Sequence, residues 1–473
     1  MQVGTTQNSK DLAAKMQSVN QQILELTARE DRVCNEQDLE KLECEVQALV
    51  RQLGDLIVAQ KVQHTLEQDE AFRASAKELA HRTRKTLVNK GRVLVCVMFV
   101  GGTSLPLDVI YWARKGSAGK RGKGLYPELY LLGIHDRCSP LLASEIAQSS
   151  AALCSLEEAK HMMGSRGCEL DIKTVRNVAK RFAARARGGQ KAEPVLEALR
   201  TETLQGRRVV LSADGGRLRI RSVKKGRKTK KNRARYKTDW REPKMLMIYV
   251  VNDDGRIDKR VLPIIDATLG GPDALFALMH IYLRSLNIGV TDQILFVADG
   301  APWIWEAVQT AKAMLKLGQV KCQILELIDF YHAAQHLHAF AELKRQWSSK
   351  RRKKWVTQQK RLLKKGETGV AIKNLQSAAK GSRSQLLQRE LQYFVKNRHR
   401  LRYHEVAALK MPIGSGAIES AIRRVVNLRL KGPCIFWKED SAEEMLLLRA
   451  YYKSGRWKLL QKMAYEGGLL YAA

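Results

Sequence analysis

The chain has 473 residues, 45% of them hydrophobic, and carries 83 Lys and Arg against 48 Asp and Glu, a net charge of +35. That length allows two to four domains with at least one sizeable core, and the apolar content excludes a disordered chain. So positive a surface seeks a polyanion, with an RNA binder of ribosomal type or a membrane-surface protein as the plain alternatives.

The opening MQVGTTQNSKDLAAK is polar and lacks the apolar region of a secretory signal. No later stretch reaches the ~20 apolar residues of a membrane span, so a cytoplasmic protein is expected. Residues 1–90 read as helical. Within 37–66, Leu39, Leu42, Val46, Leu49, Leu53 and Leu56 follow at intervals of 3, 4, 3, 4, 3. Such a seam either winds two helices together or packs one helix onto its own domain, and in both cases it is an assembly element.

Residues 91–138 read as a small β-rich module, with RVLVCVMFV and LDVIYWARK on either side of GGTSLP and a basic glycine-bearing loop at 115–124. Residues 139–200 return to helix. Ser155 with Glu157 and Glu158 opens one helix, GSRGCEL turns, and Asp171 caps a second. The pair suits a helix-turn-helix. Val175, Val178, Ala179 and Phe182 form the apolar face of the second helix. Lys173, Arg176, Asn177, Lys180 and Arg181 are left to reach phosphates and base edges in a major groove. The plain alternative is an amphipathic helix with a solvated basic face.

From 205 to 340 the pattern alternates. RRVVLSADGGRLRIRSV reads as a strand or hairpin arm, and PKMLMIYVV and RIDKRVLPIID as strands, followed by helix, strand, helix, strand and helix. That is the order of an RNase H-like α/β domain. Residues 341–408 are basic, helical and poor in strand signals, which suggests an all-α insertion. Residues 409–473 resume with MPIGSGAIESAIRRVVNLRLKG and further helices. The eight cysteines form no C-x-x-C pair and read as reduced, mostly buried thiols without a zinc site.

Three acids stand out by position. Asp214 lies in the first strand, Asp299 ends the fourth, and Glu419 stands in the first turn of a helix after the last strand. In an RNase H-like fold the first and fourth strands are neighbours, so these acids would converge. Two Mg²⁺ (or Mn²⁺) ions held by such carboxylates can cleave a phosphodiester. Asp214 and Asp299 each precede a glycine, which would remove bulk where DNA and metal approach. Asp253, Asp254 and Asp266 read as structural turn residues. Asp329, with His332 three residues on, could orient the scissile phosphate or buttress a metal ligand, or it could simply cap a helix. His336 and His338 read as ordinary surface or core residues.

LSADGG, TDWREPKMLMIYVV, IIDATLGGPDALFALM, LFVADGAPWIW, DFYHAAQHL, PIGSGAIESAIRRVVNLRLKG and LLLRAYYKSGRW together resemble the DDE transposases of bacterial insertion sequences. The subgroup they look like is the Kra type, related to mutator-like transposases. The resemblance covers about 205–465. It implies an RNase H-like domain split by a helical insertion, with Asp214, Asp299 and Glu419 matching the DDE triad and Asp329 with His332 matching a D-x-x-H motif. The implied chemistry is hydrolysis at element ends and attack of the freed 3′-hydroxyl on target DNA, in a bacterial, nucleoid-associated setting. Relatives often carry a C-x-x-C zinc ribbon, which this sequence lacks.

A cluster of acids repels DNA, so cations must surround it. Arg227, Lys228, Lys230, Lys231 and Arg233 follow Asp214, while Arg423, Arg424, Arg429 and Lys431 follow Glu419. Such contacts bind phosphates without reading sequence. Trp303, Trp305 and Trp437 could stack a flipped base, core packing being the alternative for the first two. The partners expected are double-stranded DNA, as terminal inverted repeats and target, and further copies of the chain. An RNase H-like nuclease or resolvase without strand transfer, and a non-catalytic DNA-binding regulator, remain alternatives.

Overall fold

In the computed structural model, which describes residues 7–30, 32–83, 86–114, 124–200, 204, 206–286, 293–317 and 323–471, the chain divides into two units. One comprises Met1–Val195 with Lys458–Ala473, the other Leu196–Trp457. Most of the basic loop 115–124 and Cys322 lie outside the described residues.

The first unit begins with α1 (Gln7–Ala28), α2 (Glu36–Gln68) and α3 (Glu70–Thr83), then the antiparallel hairpin β1 (Leu87–Met98) and β2 (Ser104–Arg114) and the short α4 (Pro127–Leu131). Its core joins Leu12 and Val19 of α1, Leu56 and Leu66 of α2, and alternate hairpin residues from Val95 to Val109. Period 3.6 on the helices and period 2 on the strands bring these side chains to one layer. Polar groups along α2 fix the hairpin. Buried Asp55 accepts from the N–H groups of Gly101 and Thr103, both at 2.9 Å, and Gln63 Oε1 accepts from Asp108 N at 2.9 Å.

The expected leucine seam is divided. Leu49, Leu53 and Leu56 pack on this core, whereas Leu39 and Val46 remain exposed. The cysteines depart from expectation. The seven described are free thiols, but only Cys138 and Cys168 are buried.

Next come α5 (Pro140–Ala152), α6 (Leu156–Gly164), α7 (Ile172–Gly189) and α8 (Glu193–Arg200), the first three packed on one another. Ser155 Oγ accepts from Glu158 N while Glu158 returns to Cys154 N, a reciprocal cap, and Asp171 caps α7 through Lys173 N and Thr174 N. The last helix, α18 (Trp457–Tyr471), closes on α7 where two glycines meet. A Cβ at Gly467 would lie 1.9 Å from Arg185 O, and one at Gly189 2.0 Å from Met463 O. The segment 409–473 is therefore shared between the units, because only glycine permits that backbone crossing.

The second unit holds a five-stranded sheet of order β7-β6-β3-β8-β9, made of β3 (Arg208–Gly215), β6 (Lys244–Val251), β7 (Ile264–Thr268), β8 (Gln293–Ala298) and β9 (Gln323–Ile328). β6 and β7 run antiparallel from β3, while β8 and β9 run parallel to it. Every residue of β6 is buried, as befits a strand covered on both faces. Helices α9 (Gly271–Ser285) and α10 (Pro302–Leu317) connect the later strands, and α11 (Phe330–Leu343) follows β9. Helices α12 (Ser349–Lys365), α13 (Thr368–Ala379), α14 (Gln385–Lys396) and α15 (Tyr403–Ala408) fill 341–408. Then come α16 (Gly416–Ile422) and α17 (Glu439–Lys453).

Two strand expectations change. The first segment is interrupted at Gly216–Arg217, and its second half is β4 (Leu218–Val223), a hairpin arm paired with an unforeseen β5 (Tyr236–Arg241). The third is shorter, and Asp266 sits buried within it rather than at a turn, accepting from Tyr282 Oη at 2.6 Å. Tyr282 Oη lies in turn 2.7 Å from Tyr451 Oη of α17, so these polar groups satisfy one another inside the core.

An ion network ties the insertion to the sheet. Glu326 of β9 accepts from Lys312, from Gln309 and from Arg400 Nε at 2.7 Å. Burial pushes this carboxyl up, but those hydrogen bonds prevail and hold it at about 2. Its folded value is below the unfolded one, so the network stabilises fully above pH ~4.3 and is lost as pH falls toward 2. Glu326→Gln is expected to lose about 2–3 kcal/mol at pH 7 and little at pH 2.5. Urea titrations at both pH values check this, and an equal loss at both would contradict it.

Candidate active site

The register of the parallel strands sets this region. Leu211 pairs with Phe296, so three residues further along both strands Asp214 is level with Asp299. Ala298 pairs with Ile328, so Asp299 is level with Asp329, whose N–H donates to Ala298 O at 2.8 Å. Three aspartates thus form one row at the carboxyl ends of β3, β8 and β9, where open α/β sheets bind ligands. Level residues on parallel neighbours point to the same sheet face.

The row is not uniform. Asp214 is half-buried and turns Oδ1 to Gly215 N at 2.6 Å. Burial above all, with Asp299 and Glu419, raises its carboxyl to about 6 against the opposing Gly215 N–H and His332. Asp299 accepts from Ala301 N at 2.9 Å, and its carbonyl accepts from Trp305 Nε1 at 2.8 Å. Asp329 is 1% exposed, and its carboxylate is occupied by the N–H groups of Tyr331 and His332 and by Ser415 N and Oγ. It caps α11 and joins it to the start of α16.

Ser415, at the N-cap position of α16, is not among the sequence candidates. Its hydroxyl makes no cap bond to that helix. It donates to Asp329 and lies 3.4 Å from Glu419 Oε1. Glu419 is exposed in the first turn of α16, which packs across β3 and β6. The helix then widens into a π turn at Arg423–Asn427, and buried Arg449 of α17 donates to the carbonyls of Arg424 and Val425 there. A π turn loosens the regular ladder and is often found at functional sites.

The insertion walls the row. The ring of Tyr393 from α14 stacks on His336 at 3.7 Å, and His336 Nδ1 lies 2.5 Å from Glu390. A Cβ at Gly300 would meet Tyr393 at 2.3 Å, and one at Gly215 would meet Glu242. The glycines beside the acids therefore make room for protein side chains. Burial, with Asp299, Asp329 and Glu390, pushes the Tyr393 hydroxyl up, so it stays protonated. His332 sits edge-on to His336 at 5.3 Å, and His338 is exposed.

Trp305 is a core residue, 4% exposed with Arg400 over its ring at 4.2 Å. Trp303 lies under Lys244 Nζ at 4.3 Å, and Trp437 donates to Leu430 O at 3.1 Å. The exposed aromatic face is elsewhere, at Trp240 and Tyr236 of β5 and at Phe436, covered by Arg217, Arg219 and Arg221. Alternation along β4 and β5 was the signal that could have found it.

Arg227, Lys228, Lys230, Lys231 and Arg233 are all exposed at the tip of the β4–β5 ribbon. Arg423 and Lys431 are exposed and Arg424 is half-buried, but Arg429 is 7% exposed, packed against Trp437 at 5.5 Å. Arg429 and Lys431 follow the π turn and do not continue the Glu419 helix. In the first unit, Lys173 and Arg176 are exposed, Asn177 and Lys180 are half-buried, and Arg181 is ion-paired with Asp136.

No three His, Cys, Asp or Glu side chains among the described residues already converge as a metal cage. The donor set nonetheless suits hard divalent cations. Asp214 and Asp299 each use one oxygen on their own loop, and the repulsion from Asp299 and Glu419 that adds to the effect of burial on Asp214 is what a cation would relieve. Among the described residues no helix is long and apolar enough to cross a membrane. No family model, curated protein or solved structure matches the chain.

With its carboxyl near 6, Asp214 retains a proton that the unfolded chain releases near 3.9, so above pH 6 it destabilises the fold by about 1–3 kcal/mol. That penalty fades as pH falls toward 4. In metal-free buffer Asp214→Asn is expected to unfold at higher denaturant than wild type at pH 7.5 and at equal denaturant near pH 4. Equal midpoints at pH 7.5 would contradict this account.

Proposed function

We propose that Leu196–Trp457 is an RNase H-like catalytic unit with an all-α insertion. We propose further that the chain is a DDE transposase, which binds insertion-sequence ends, cuts DNA and transfers the 3′-hydroxyl ends to target DNA. The observation that carries this is the aspartate row, with Asp214 held up by burial, Asp299 and Glu419. A strand order with β3 central and β8 beside it supports the fold.

Asp214, Asp299 and Glu419 would hold two Mg²⁺ or Mn²⁺ ions, which when bound neutralise the phosphodiester, activate water and stabilise the departing oxygen. Asp214 holds its proton until about pH 6 and must lose it to serve as a ligand. Asp329 is a positioning residue, since its oxygens are filled by α11 and Ser415. Ser415, held on Asp329 by its N–H and hydroxyl, fixes the start of the helix that carries Glu419. His332, close enough to Asp214 to lower its pKa, would orient the scissile phosphate. The exposed cations of the β4–β5 tip and Arg423 and Lys431 bind backbone phosphates, giving steep salt dependence. Lys173 and Arg176 of α7 would contact the element ends.

The test is plasmid-to-plasmid insertion of a reporter flanked by the element's terminal repeats. Asp299→Ala is expected to lower insertion by on the order of 10³-fold or more with DNA binding retained. Insertion that persists in the variant would remove the carboxylates from the chemistry. Mg²⁺-dependent nicking without joining would make the protein a nuclease or resolvase. Ser415→Ala is expected to lower cleavage by about tenfold with DNA affinity unchanged, and Ser415→Thr to restore it in part. Wild-type cleavage by Ser415→Ala would reduce Ser415 to packing.

A further inference from the structure

The first unit holds an open cavity of about 460 Å³. That volume is within the range of small-molecule sites, roughly 300–1,000 Å³. Val95 of β1, Leu129 of α4 and Ile134 form its floor, each 5% exposed and part of the core they share with α1 and α2. The rings of Tyr126 and Tyr130 add an aromatic wall. His135 stands edge-on to Tyr130 with ring centres 5.1 Å apart. Helix α18 abuts it, since a Cβ at Gly468 would lie 2.8 Å from His135 Nε2. Burial, with Arg185 nearby, pushes the His135 imidazole down to about 4, so at neutral pH it adds no charge.

The rim is cationic. Arg137, Arg181 and Arg185 line the cavity, and among the described lining residues Asp136 is the one acid. Asp136 pairs with Arg181, and its other oxygen lies 4.0 Å from Arg185 Nη1. Arg137 is different. It is exposed, and its side chain forms no hydrogen bond or ion pair among the described residues.

The backbone that presents it is strained. Asp136 and Arg137 both take left-handed conformations, with φ of 56° and 58°. A Cβ disfavours that region, and residues other than glycine rarely enter it in succession. The turn is held at both ends, His135 O accepting from Cys138 N at 2.9 Å and Arg137 O from Met98 N at 2.8 Å. Glycine at 137 would relieve the strain and leave those bonds in place. The fold gains nothing from a strained arginine without a protein partner, so its use lies with what enters the cavity.

We propose that this cavity binds a small organic anion, its apolar body against Val95, Ile134 and the two tyrosines and its acidic group on Arg137 and Arg181. The site uses residues of the first unit alone, so it is independent of the catalytic reading.

The test uses the full-length chain and the fluorescent probe 1-anilinonaphthalene-8-sulfonate, an aromatic body with one anionic group. One probe per chain is expected to bind at micromolar concentration. The uncharged analogue N-phenyl-1-naphthylamine is expected to bind at least about tenfold more weakly. Arg137→Gly is expected to unfold at a denaturant concentration no lower than wild type, yet to bind the sulfonate at least about tenfold more weakly. Absence of binding to wild type, equal binding of the uncharged analogue, or unchanged affinity in Arg137→Gly would each overturn the proposal. Displacement of the sulfonate by a short DNA duplex would also overturn it, because the cavity would then be a DNA contact. Cleavage enters none of these measurements, so the two readings fail separately.

Discussion

The shared register of β3, β8 and β9 is the constraint on which the second unit depends. Ladder hydrogen bonds between parallel strands permit no half-steps, and a slip of one residue would send a carboxylate to the opposite face. With offsets set by Leu211–Phe296 and Ala298–Ile328, Asp214, Asp299 and Asp329 stand level at one edge of the sheet.

The three acids in the row have different environments. Asp329 is enclosed by four donors and acts as a fastener between α11 and α16. Asp299 is held by its backbone, since its carbonyl takes the Trp305 indole, whose ring lies under Arg400, and Arg400 is itself anchored on Glu326. Asp214 is left with burial and like charges, and its raised pKa is the result. The helical insertion thereby has a mechanical part. Its short turn at Arg398–Arg400, between α14 and α15, reaches back to β9, and Tyr393 fills the space that Gly300 leaves open.

The first unit solves a different problem. A two-stranded hairpin cannot bury its own apolar face, and the α1–α2 pair covers it, with Asp55 and Gln63 matching the N–H groups of Gly101, Thr103 and Asp108. One face of α2 is committed to that work, which leaves the opposite face apolar and exposed.

Much was legible in the sequence. Helix caps at Ser155 and Asp171, the alternation of strands and helices from β3 to α11, and the position of each candidate acid at a strand end or helix start all follow from local rules of spacing and capping. Those rules act over three or four residues, so one chain segment carries the whole signal. Other features were decided by tertiary structure. The β4–β5 ribbon, the burial of Arg429, the enclosure of Asp329 by Ser415 and the glycine crossing of α7 with α18 each join residues distant in the chain. The same holds for Gly300, where Asp-Gly reads locally as a free turn but Tyr393, far along the sequence, occupies the gap. A carboxylate's identity is written locally, whereas its pKa and its freedom to bind a cation depend on what else is packed around it.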